Sequence, residues 1–165
     1  MYREPAIAAM REIFAEIPYG VEHTLRVLDN AEAILAGESI TDGLREIVTL
    51  TAILHDTGAV AAMRKYGSID APYQEKEGPA TARQVLESLD CPVALVERVC
   101  YIIGHHHTPE KIDGPDFQVQ WEADLLDNLA YGSRPTDRDE LERLIETNFK
   151  TVTGLNLARQ RFLNP

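Results

Sequence analysis

Apolar residues recur at spacings of three and four along almost the whole chain, which is the period of an amphipathic α-helix. Val27, Ala31, Ile34 and Leu35 show the pattern within one segment. No run alternates with the period of two that marks a half-buried strand. The sequence therefore predicts an all-α fold with about seven or more helices. The predicted helices cover residues 5–16, 22–36, 43–57, 80–89, 92–105, 118–131 and 137–148.

The length and composition are those of a chain with one sizeable core. The chain has 165 residues, of which 44% are hydrophobic, and it contains no internal repeat or low-complexity tract. We therefore expect a single domain over residues 1–165, a helical bundle without a linker. Its motif-bearing core should cover about residues 20–131, with C-terminal helices at 137–162 packing on it.

The charge of the chain restricts its partners. The formal net charge is −11 and the sequence pI is near 4.8. Because long nucleic acids and anionic membranes need a basic footprint, we expect neither as a partner. No stretch reaches the roughly 18 uncharged apolar residues of a membrane span. A small anionic substrate is compatible with the net charge if a metal ion or a few Arg and Lys residues offset the negative potential at its binding site. The oligomeric state cannot be read from these features.

The cysteines and the N-terminus predict a cytoplasmic protein. Cys91 and Cys100 are too few for the disulfide scaffold of a secreted protein. Cys100 lies in an apolar stretch, so we expect two buried thiols. The first residues, MYREPAIAAM, carry charges where an export signal would have an apolar region.

Histidines and acids interrupt the apolar pattern at several predicted helices. His23 lies early in the helix over 22–36, His55 and Asp56 close the helix over 43–57 in TAILHDTG, and Asp124 lies in WEADLLDNL. A buried histidine beside a buried aspartate is costly unless something pairs with both. A divalent metal would do so, since imidazole and carboxylate are its common ligands and helix bundles bring distant positions together.

The order of these residues is similar to that of a known family. His23, then His55 and Asp56 in ILHDTG, then Asp124 in EADLLDNL resembles the HD superfamily of metal-dependent phosphohydrolases, over about residues 20–131. The resemblance implies an all-α fold of the HD-domain type and one divalent transition metal (Mn, Fe, Co, Ni or Zn) held by these four side chains. It also implies hydrolysis of a nucleotide or another small phosphate ester through a metal-activated water.

Each of these residues also has a plainer interpretation. His23 alone is compatible with a solvated ring near a helix start, and Asp56 could orient His55 or cap the following turn. Asp124 could face water, since acidic helix faces are usually solvated. Asp127 is then the alternative ligand. The combination favours a metal, whereas no single residue does.

Additional candidates follow the HD pair. Many relatives with two metals have a histidine where this chain has Gln74, and an amide is a poor ligand for a transition metal. We therefore predict one tightly bound ion, with a second ion as the alternative. A solvated loop is the plainer interpretation of His107. The candidates for catalysis or a second metal are His105, His106, Glu75 and Glu77. Of these, His105 and His106 are expected to contact substrate or water.

Phosphate contacts are predicted from basic residues near the motif. Arg26 lies one turn after His23 and so on nearly the same helix face, and its guanidinium suits a phosphate oxygen. Arg64 and Lys65, just beyond the HD pair, are the other candidates. The shape of the pocket depends on the loops expected over residues 58–73 and 106–117.

Two other functions remain open at this point. Some HD-like proteins resemble di-iron oxygenases, which would need a second set of ligands. A non-catalytic regulatory module that binds a ligand would keep the fold without an open metal position. Turnover of phosphate esters and oxygen consumption with ferrous iron separate these hypotheses.

Overall fold

The computed structural model describes residues 1–164, which fold into helices and short connections. Within that range there is no strand, so the all-α prediction is confirmed. A 3₁₀ turn lies at Pro109–Lys111 and a π-helical turn at Arg159–Leu163. The α-helices of the described range are α1 (Arg3–Ile13), α2 (Pro18–Gly37), α3 (Asp42–Leu54), α4 (Gly58–Tyr66), α5 (Ala71–Ser88), α6 (Val93–Ile103), α7 (Pro115–Tyr131), α8 (Arg138–Asn148) and α9 (Val152–Ala158).

Helices α2, α3 and α7 form the centre of the bundle. Helix α2 packs on both α3 and α7, α3 also packs on α6, and α5 lies between α4 and α6. One contiguous hydrophobic core joins them and includes Met10, Leu28, Ile53 and Ile103. Since the polar residues singled out in the sequence lie on α2, α7 and the ends of α3 and α6, this packing brings them to one region.

Two helices occupy segments for which the sequence predicts something else. Residues 58–66 form α4 where a loop was expected, and α5 begins at Ala71 instead of residue 80. Pro79 lies inside α5 and not in its first turn, so the carbonyl of Glu75 lacks the donor that a helical N–H would supply. Charged residues and a proline made this segment resemble a loop. Few residues of the helix are buried, among them Gln74, Gly78 and Ala82.

Helices α3 and α6, which precede histidines, end earlier than the sequence predicts. Helix α3 ends at Leu54, so His55–Thr57 form a turn that leads directly into α4. Helix α6 ends at Ile103, and His105–His107 lie in the turns that follow it. Helix α9 was not among the helices predicted from periodicity, although helical structure was expected between residues 137 and 162.

Gly58 is required by a close contact between two helices. A Cβ on Gly58 would lie 2.5 Å from the backbone N of Gly78 and 2.7 Å from the carbonyl O of Gln74. These are backbone atoms of α5, so they cannot rotate away as a side chain would. The absence of a side chain at Gly58 therefore lets α5 pack directly against the turn that holds His55 and Asp56.

A buried carboxylate ties the C-terminal helices to α7. Glu122 is fully buried and accepts hydrogen bonds from the backbone N–H groups of Lys150 and Thr151 and from the Gln118 amide. These bonds fix the start of α9, which also packs on α2. This packing agrees with the expected single domain over residues 1–165, which stays a prediction.

Two expectations from composition can be compared with the structure. Cys91 and Cys100 are buried and not bonded to each other, as predicted. Burial raises the pKa of both thiols, which makes them poor nucleophiles. Among the helices of residues 1–164, none combines the length and the apolar character needed to cross a membrane.

The contact at Gly58 leads to a stability prediction. Replacing Gly58 by Ala should lower the free energy of unfolding by about 2 kcal/mol or more, because the new methyl group overpacks against backbone atoms of α5. The control is Gly43→Ala, since a Cβ there would meet nothing within 4 Å. That variant should be neutral or more stable by up to about 1 kcal/mol, because alanine favours a helix over glycine. Urea denaturation measures both, and similar effects of the two substitutions would refute the packing argument.

Candidate metal centre

The structure brings together the four residues predicted as metal ligands. His23 on α2, His55 and Asp56 after α3, and Asp124 on α7 form a group that we call the His23 cluster. The Nε2 atom of His23 lies 3.2 Å from Nε2 of His55, 3.3 Å from Oδ2 of Asp56 and 3.3 Å from Oδ1 of Asp124. The Nε2 atom of His55 lies 3.6 Å from Oδ1 of Asp56 and 3.9 Å from Oδ1 of Asp124. Their role as ligands stays a prediction.

The hydrogen bonds behind the two imidazoles fix their tautomers. His55 Nδ1 donates to the carbonyl O of Ala52 at 2.9 Å, and His23 Nδ1 donates to Oδ2 of Asp127 at 2.7 Å. With the proton on Nδ1, each neutral ring presents the Nε2 lone pair to the other ring. Two lone pairs at this distance repel unless a cation or a proton lies between them.

The charges of the cluster favour a cation at His23. Burial alone would lower the pKa of His23, but the carboxylates of Asp124 and Asp56 outweigh burial and raise it to about 11. Burial lowers the pKa of His55. Burial also opposes ionisation of Asp56, yet the neighbouring His55 and His106 hold the pKa of this acid well below its usual value. A proton and a metal ion would therefore compete for His23 Nε2.

Asp124 supplies a further sign that a cation fits here. Its Oδ1 is buried and lies 3.3 Å from His23 Nε2, but it has no hydrogen bond of good geometry with any residue in 1–164. A buried carboxylate oxygen without a good hydrogen bond is costly, and a metal ion or a protonated imidazole would satisfy it. Two imidazole nitrogens and two carboxylates also match the donors that divalent transition metals prefer. The residues present thus fit the group that the sequence implies.

Asp127 lies behind His23 and not beside Asp124. It is 3% exposed, and besides its bond to His23 it accepts from Arg26 Nε at 2.7 Å and from Arg26 Nη2 at 3.1 Å. The guanidinium of Arg26 in turn lies 4.2 Å from the centre of the Tyr131 ring. Asp127, the alternative ligand in the sequence, therefore orients the imidazole, as carboxylates behind metal-binding histidines commonly do.

A second group of donor atoms shares Asp56. We call it the His106 cluster; it consists of Asp56, His106 and His107, whose possible ligand atoms lie within 4.8 Å of one another. His106 Nε2 is 3.3 Å from Oδ1 of Asp56, and His106 Nδ1 donates to the carbonyl O of Ile103 at 2.6 Å. His106 therefore resembles the histidines of the His23 cluster: a hydrogen bond at Nδ1 turns the ring so that Nε2 faces the carboxylate of Asp56.

His107 lies in the His106 cluster, whereas the plainer interpretation of its sequence was a solvated loop. Burial and the neighbouring His106 lower the pKa of His107 to about 4, so the ring is neutral near pH 7. Its Nε2 is buried and has no hydrogen-bond partner within residues 1–164. Three consecutive histidines follow the end of α6, and the geometry of the turn determines which of them face the cluster. Residue spacing alone therefore could not identify His107.

His105 and Glu75, both predicted as candidates, make other contacts. His105 Nδ1 donates to the carbonyl O of Tyr101 at 2.7 Å, and its ring packs 4.7 Å from the Tyr101 ring. Glu75 Oε1 accepts from the backbone N of His107 at 3.0 Å and from Thr108 Oγ1 at 2.8 Å. Glu75 therefore holds the turn that carries the His106 cluster, whereas His105 does not join that cluster.

Three more candidates lie away from both clusters. Glu77 Oε1 accepts from Tyr66 Oη at 2.7 Å and from Lys65 Nζ at 2.9 Å, and these two bonds lower the pKa of Glu77. Arg64 is exposed and lies 3.4 Å from Glu16. The structure therefore gives Glu77, Arg64 and Lys65 surface contacts and does not place them at the candidate centre.

A cavity of about 310 Å³ opens onto the His23 cluster. His23 and Asp56 form one wall of it, and Arg26 lines it as well, so Arg26 alone of the three predicted phosphate contacts reaches this space. The volume lies at the lower end of the roughly 300–1,000 Å³ typical of small-molecule sites. The candidate centre is thus accessible to a small substrate.

Comparisons with known proteins agree with the architecture. The family model of the HD domain matches residues 20–147, a range that contains both clusters. A comparison with solved structures finds the crystal structure of a predicted HD superfamily hydrolase from an uncultured Thermotogales bacterium, with a TM-score of 0.72 and 23% sequence identity. The match covers 98% of this chain and 86% of that chain, and at this identity it shows the fold alone. A search of curated proteins finds no match.

The position of Asp127 leads to a prediction about metal affinity. Asp127→Ala should weaken binding of Mn²⁺ or Co²⁺ by about 10- to 100-fold, because the His23 ring loses the partner that orients it. Competition with a fluorescent chelator measures the affinity. Asp116→Ala is the matched control, since Asp116 is equally buried and also paired with an arginine, Arg98, but contacts no histidine. Equal loss of affinity in the two variants would contradict an orienting role for Asp127.

Proposed function

The chain belongs to the HD domain family, and we propose that it is a metal-dependent phosphohydrolase acting on a nucleotide or another small phosphate ester. The main support is the arrangement in which Nε2 of His23 and Nε2 of His55 lie 3.2 Å apart beside the buried Oδ1 of Asp124. His23 and Asp56 of this group line a cavity of suitable size for a small substrate. A cation is what the cluster needs, and a cation beside a cavity suits an anionic ester.

The proposed ligands are the four residues of the His23 cluster. His23 and His55 would bind one divalent transition metal through Nε2, and Asp56 and Asp124 through their carboxylates. When bound, such an ion acidifies a water molecule and polarises a phosphoryl oxygen, the two requirements of phosphate-ester hydrolysis without a protein nucleophile. Which of Mn, Fe, Co, Ni and Zn is bound does not follow from these ligand types.

Arg26 is the residue of this chain that we propose to hold the phosphate. Asp127 engages its Nε and Nη2 atoms, which leaves Nη1 available to a phosphate oxygen in the cavity. Because the pair with Asp127 and the Tyr131 ring hold the guanidinium in place, little side-chain entropy remains to be lost on substrate binding. Arg26 thereby offsets part of the negative charge of the chain where the substrate enters.

The His106 cluster gives a weaker second site in this proposal. It shares Asp56 with the first cluster and adds the imidazoles of His106 and His107, but the chain has Gln74 where many two-metal relatives have a histidine. We therefore propose one tightly held ion and a second that binds only in excess metal. A di-iron oxygenase, which needs a second set of ligands, is the alternative function that the presence of the His106 cluster favours.

The first prediction of this proposal concerns the ligands and the activity. Asp124→Ala should remove most of the bound metal without unfolding the protein, because Asp124 contributes to the centre more than to the core. Metal content by elemental analysis and hydrolysis of a panel of nucleotides and phosphomonoesters with Mn²⁺ or Co²⁺ are the measurements. Asp29→Ala, an exposed acid on α2, is the control and should keep both.

Three results would count against this assignment. Full metal occupancy in Asp124→Ala would exclude Asp124 as a ligand. A folded, metal-loaded protein that hydrolyses no phosphate ester would favour the regulatory module, and oxygen consumption with ferrous iron would favour the oxygenase.

The second prediction concerns the number of ions. Protein purified without a histidine tag and dialysed should retain about one equivalent of metal, and titration should reveal a second, weaker equivalent. The double variant His106→Ala with His107→Ala should lose only the weaker equivalent, because the His23 cluster remains. His105→Ala is the control and should keep both, since His105 contacts Tyr101 instead. Two equally tight equivalents would contradict the proposed difference between the clusters.

A further inference from the structure

A second cavity lies where α7 ends and α8 begins, and we call it the α7–α8 cavity. Its volume is about 530 Å³, which is within the range typical of small-molecule sites. Its walls come from the last turn of α7, the connection to α8, the first turn of α8 and Phe162 near the C-terminus. Gly132 borders both this cavity and the one beside the His23 cluster, but no residue of the two clusters lines the α7–α8 cavity.

The α7–α8 cavity is basic although the chain is acidic. Arg134 and Arg138 line it, and no acidic residue of the described chain does. The whole chain has 27 acidic and 16 basic side chains, and the cavity beside the His23 cluster is lined by three carboxylates and one guanidinium. The local potential therefore favours an anion in the α7–α8 cavity and not in its neighbour.

The fold does not use the charges of these two arginines. Arg134 and Arg138 are exposed and form no ion pair within residues 1–164. The arginines that do form ion pairs there are Arg3, Arg26, Arg64, Arg83, Arg98 and Arg159. A guanidinium without an acidic partner keeps its planar set of N–H donors available, and this set matches the oxygens of a phosphate group.

The acids next to these arginines in the sequence do not compete for them. Asp137 caps α8, since its Oδ1 accepts from the backbone N of Glu140 at 2.8 Å. Asp139 is exposed and does not line the cavity. An anion can therefore bind both guanidiniums without displacing an ion pair.

The remainder of the lining is largely apolar. Leu129 and Leu141 are buried and line the cavity together with Phe162. The guanidinium of Arg134 lies 5.7 Å from the centre of the Phe162 ring, so the charge is held next to the apolar surface. A phosphate group alone would fill only a small part of the volume. A ligand that fills the cavity therefore combines an anionic group with an apolar body.

We propose that the α7–α8 cavity is a binding site for a small phosphate monoester with an apolar body, separate from the candidate metal centre. The phosphate group binds Arg134 and Arg138, whose two positive charges match the charge of nearly −2 that a phosphate monoester carries near pH 7. The apolar body packs on Leu129, Leu141 and Phe162. The ligand thereby contacts the end of α7, the helix that carries Asp124. The site does not depend on the proposed function, since neither arginine lies at the metal centre.

Calorimetric titration of the full chain with phenylphosphonate tests this site. The compound resembles a phosphate monoester and resists hydrolysis, because a phosphorus–carbon bond replaces the ester. The unmodified protein should bind it saturably. The double variant Arg134→Gln with Arg138→Gln should weaken this binding by about tenfold or more, because the charge-assisted hydrogen bonds are lost. Any binding at the metal centre should be unchanged.

The matched control is Arg143→Gln. Arg143 is an exposed arginine of the same helix that forms no ion pair within the described chain and lies outside the cavity lining. This variant should bind phenylphosphonate as the unmodified protein does. Two further probes separate the parts of the ligand: methylphosphonate lacks the ring and phenol lacks the anion, so each should bind more weakly than phenylphosphonate.

Crystals soaked in phenylphosphonate show where it binds and decide the matter even if the double variant fails to fold. The inference predicts density for the phosphonate between Arg134 and Arg138, with the ring against Phe162. Density at the metal centre alone, equal affinity of the unmodified protein and the double variant, or equal weakening in Arg143→Gln would overturn it. None of these results bears on phosphate-ester hydrolysis at the His23 cluster, which the substrate panel tests separately.

Discussion

The candidate centre depends on two imidazole nitrogens that face each other across 3.2 Å, Nε2 of His23 and Nε2 of His55. Each ring is turned to this position by a hydrogen bond at its other nitrogen, from Nδ1 of His55 to the Ala52 carbonyl and from Nδ1 of His23 to Asp127. In a buried site two such lone pairs need a positive charge between them. The carboxylates of Asp56 and Asp124 surround the same position, so the fold concentrates negative charge where a divalent ion would be bound.

The packing of the helices serves this arrangement. Helix α2 lies against α3 and α7, so His23, the turn after α3 and Asp124 meet although they are far apart in sequence. The contact of Gly58 with the backbone of Gly78 brings α5 against the same turn, which places Gln74 on the cavity. Gln74, which stands where many two-metal relatives have a histidine, thus lines the cavity beside the His23 cluster.

Much of the fold could be predicted from the sequence because amphipathic periodicity is strong in α2, α3, α6 and α7. It failed for α4 and for the first half of α5, where Pro79 and a run of charges conceal the helix and few side chains are buried. The four residues of the His23 cluster were found because each breaks an apolar pattern and their order resembles a family. The position of His107 and the contacts of Asp127, Glu75 and Glu77 could not be predicted, since they depend on turn geometry and on side-chain hydrogen bonds between helices.

The most direct test of this account is the location of a bound metal by anomalous X-ray diffraction, using crystals of protein purified without a histidine tag. The account predicts one strong peak about 2.0–2.2 Å from Nε2 of His23 and Nε2 of His55, within bonding distance of the carboxylates of Asp56 and Asp124. A well-occupied ion bound only by His106 and His107, or no ion at the His23 cluster in protein saturated with Mn²⁺ or Co²⁺, would contradict it.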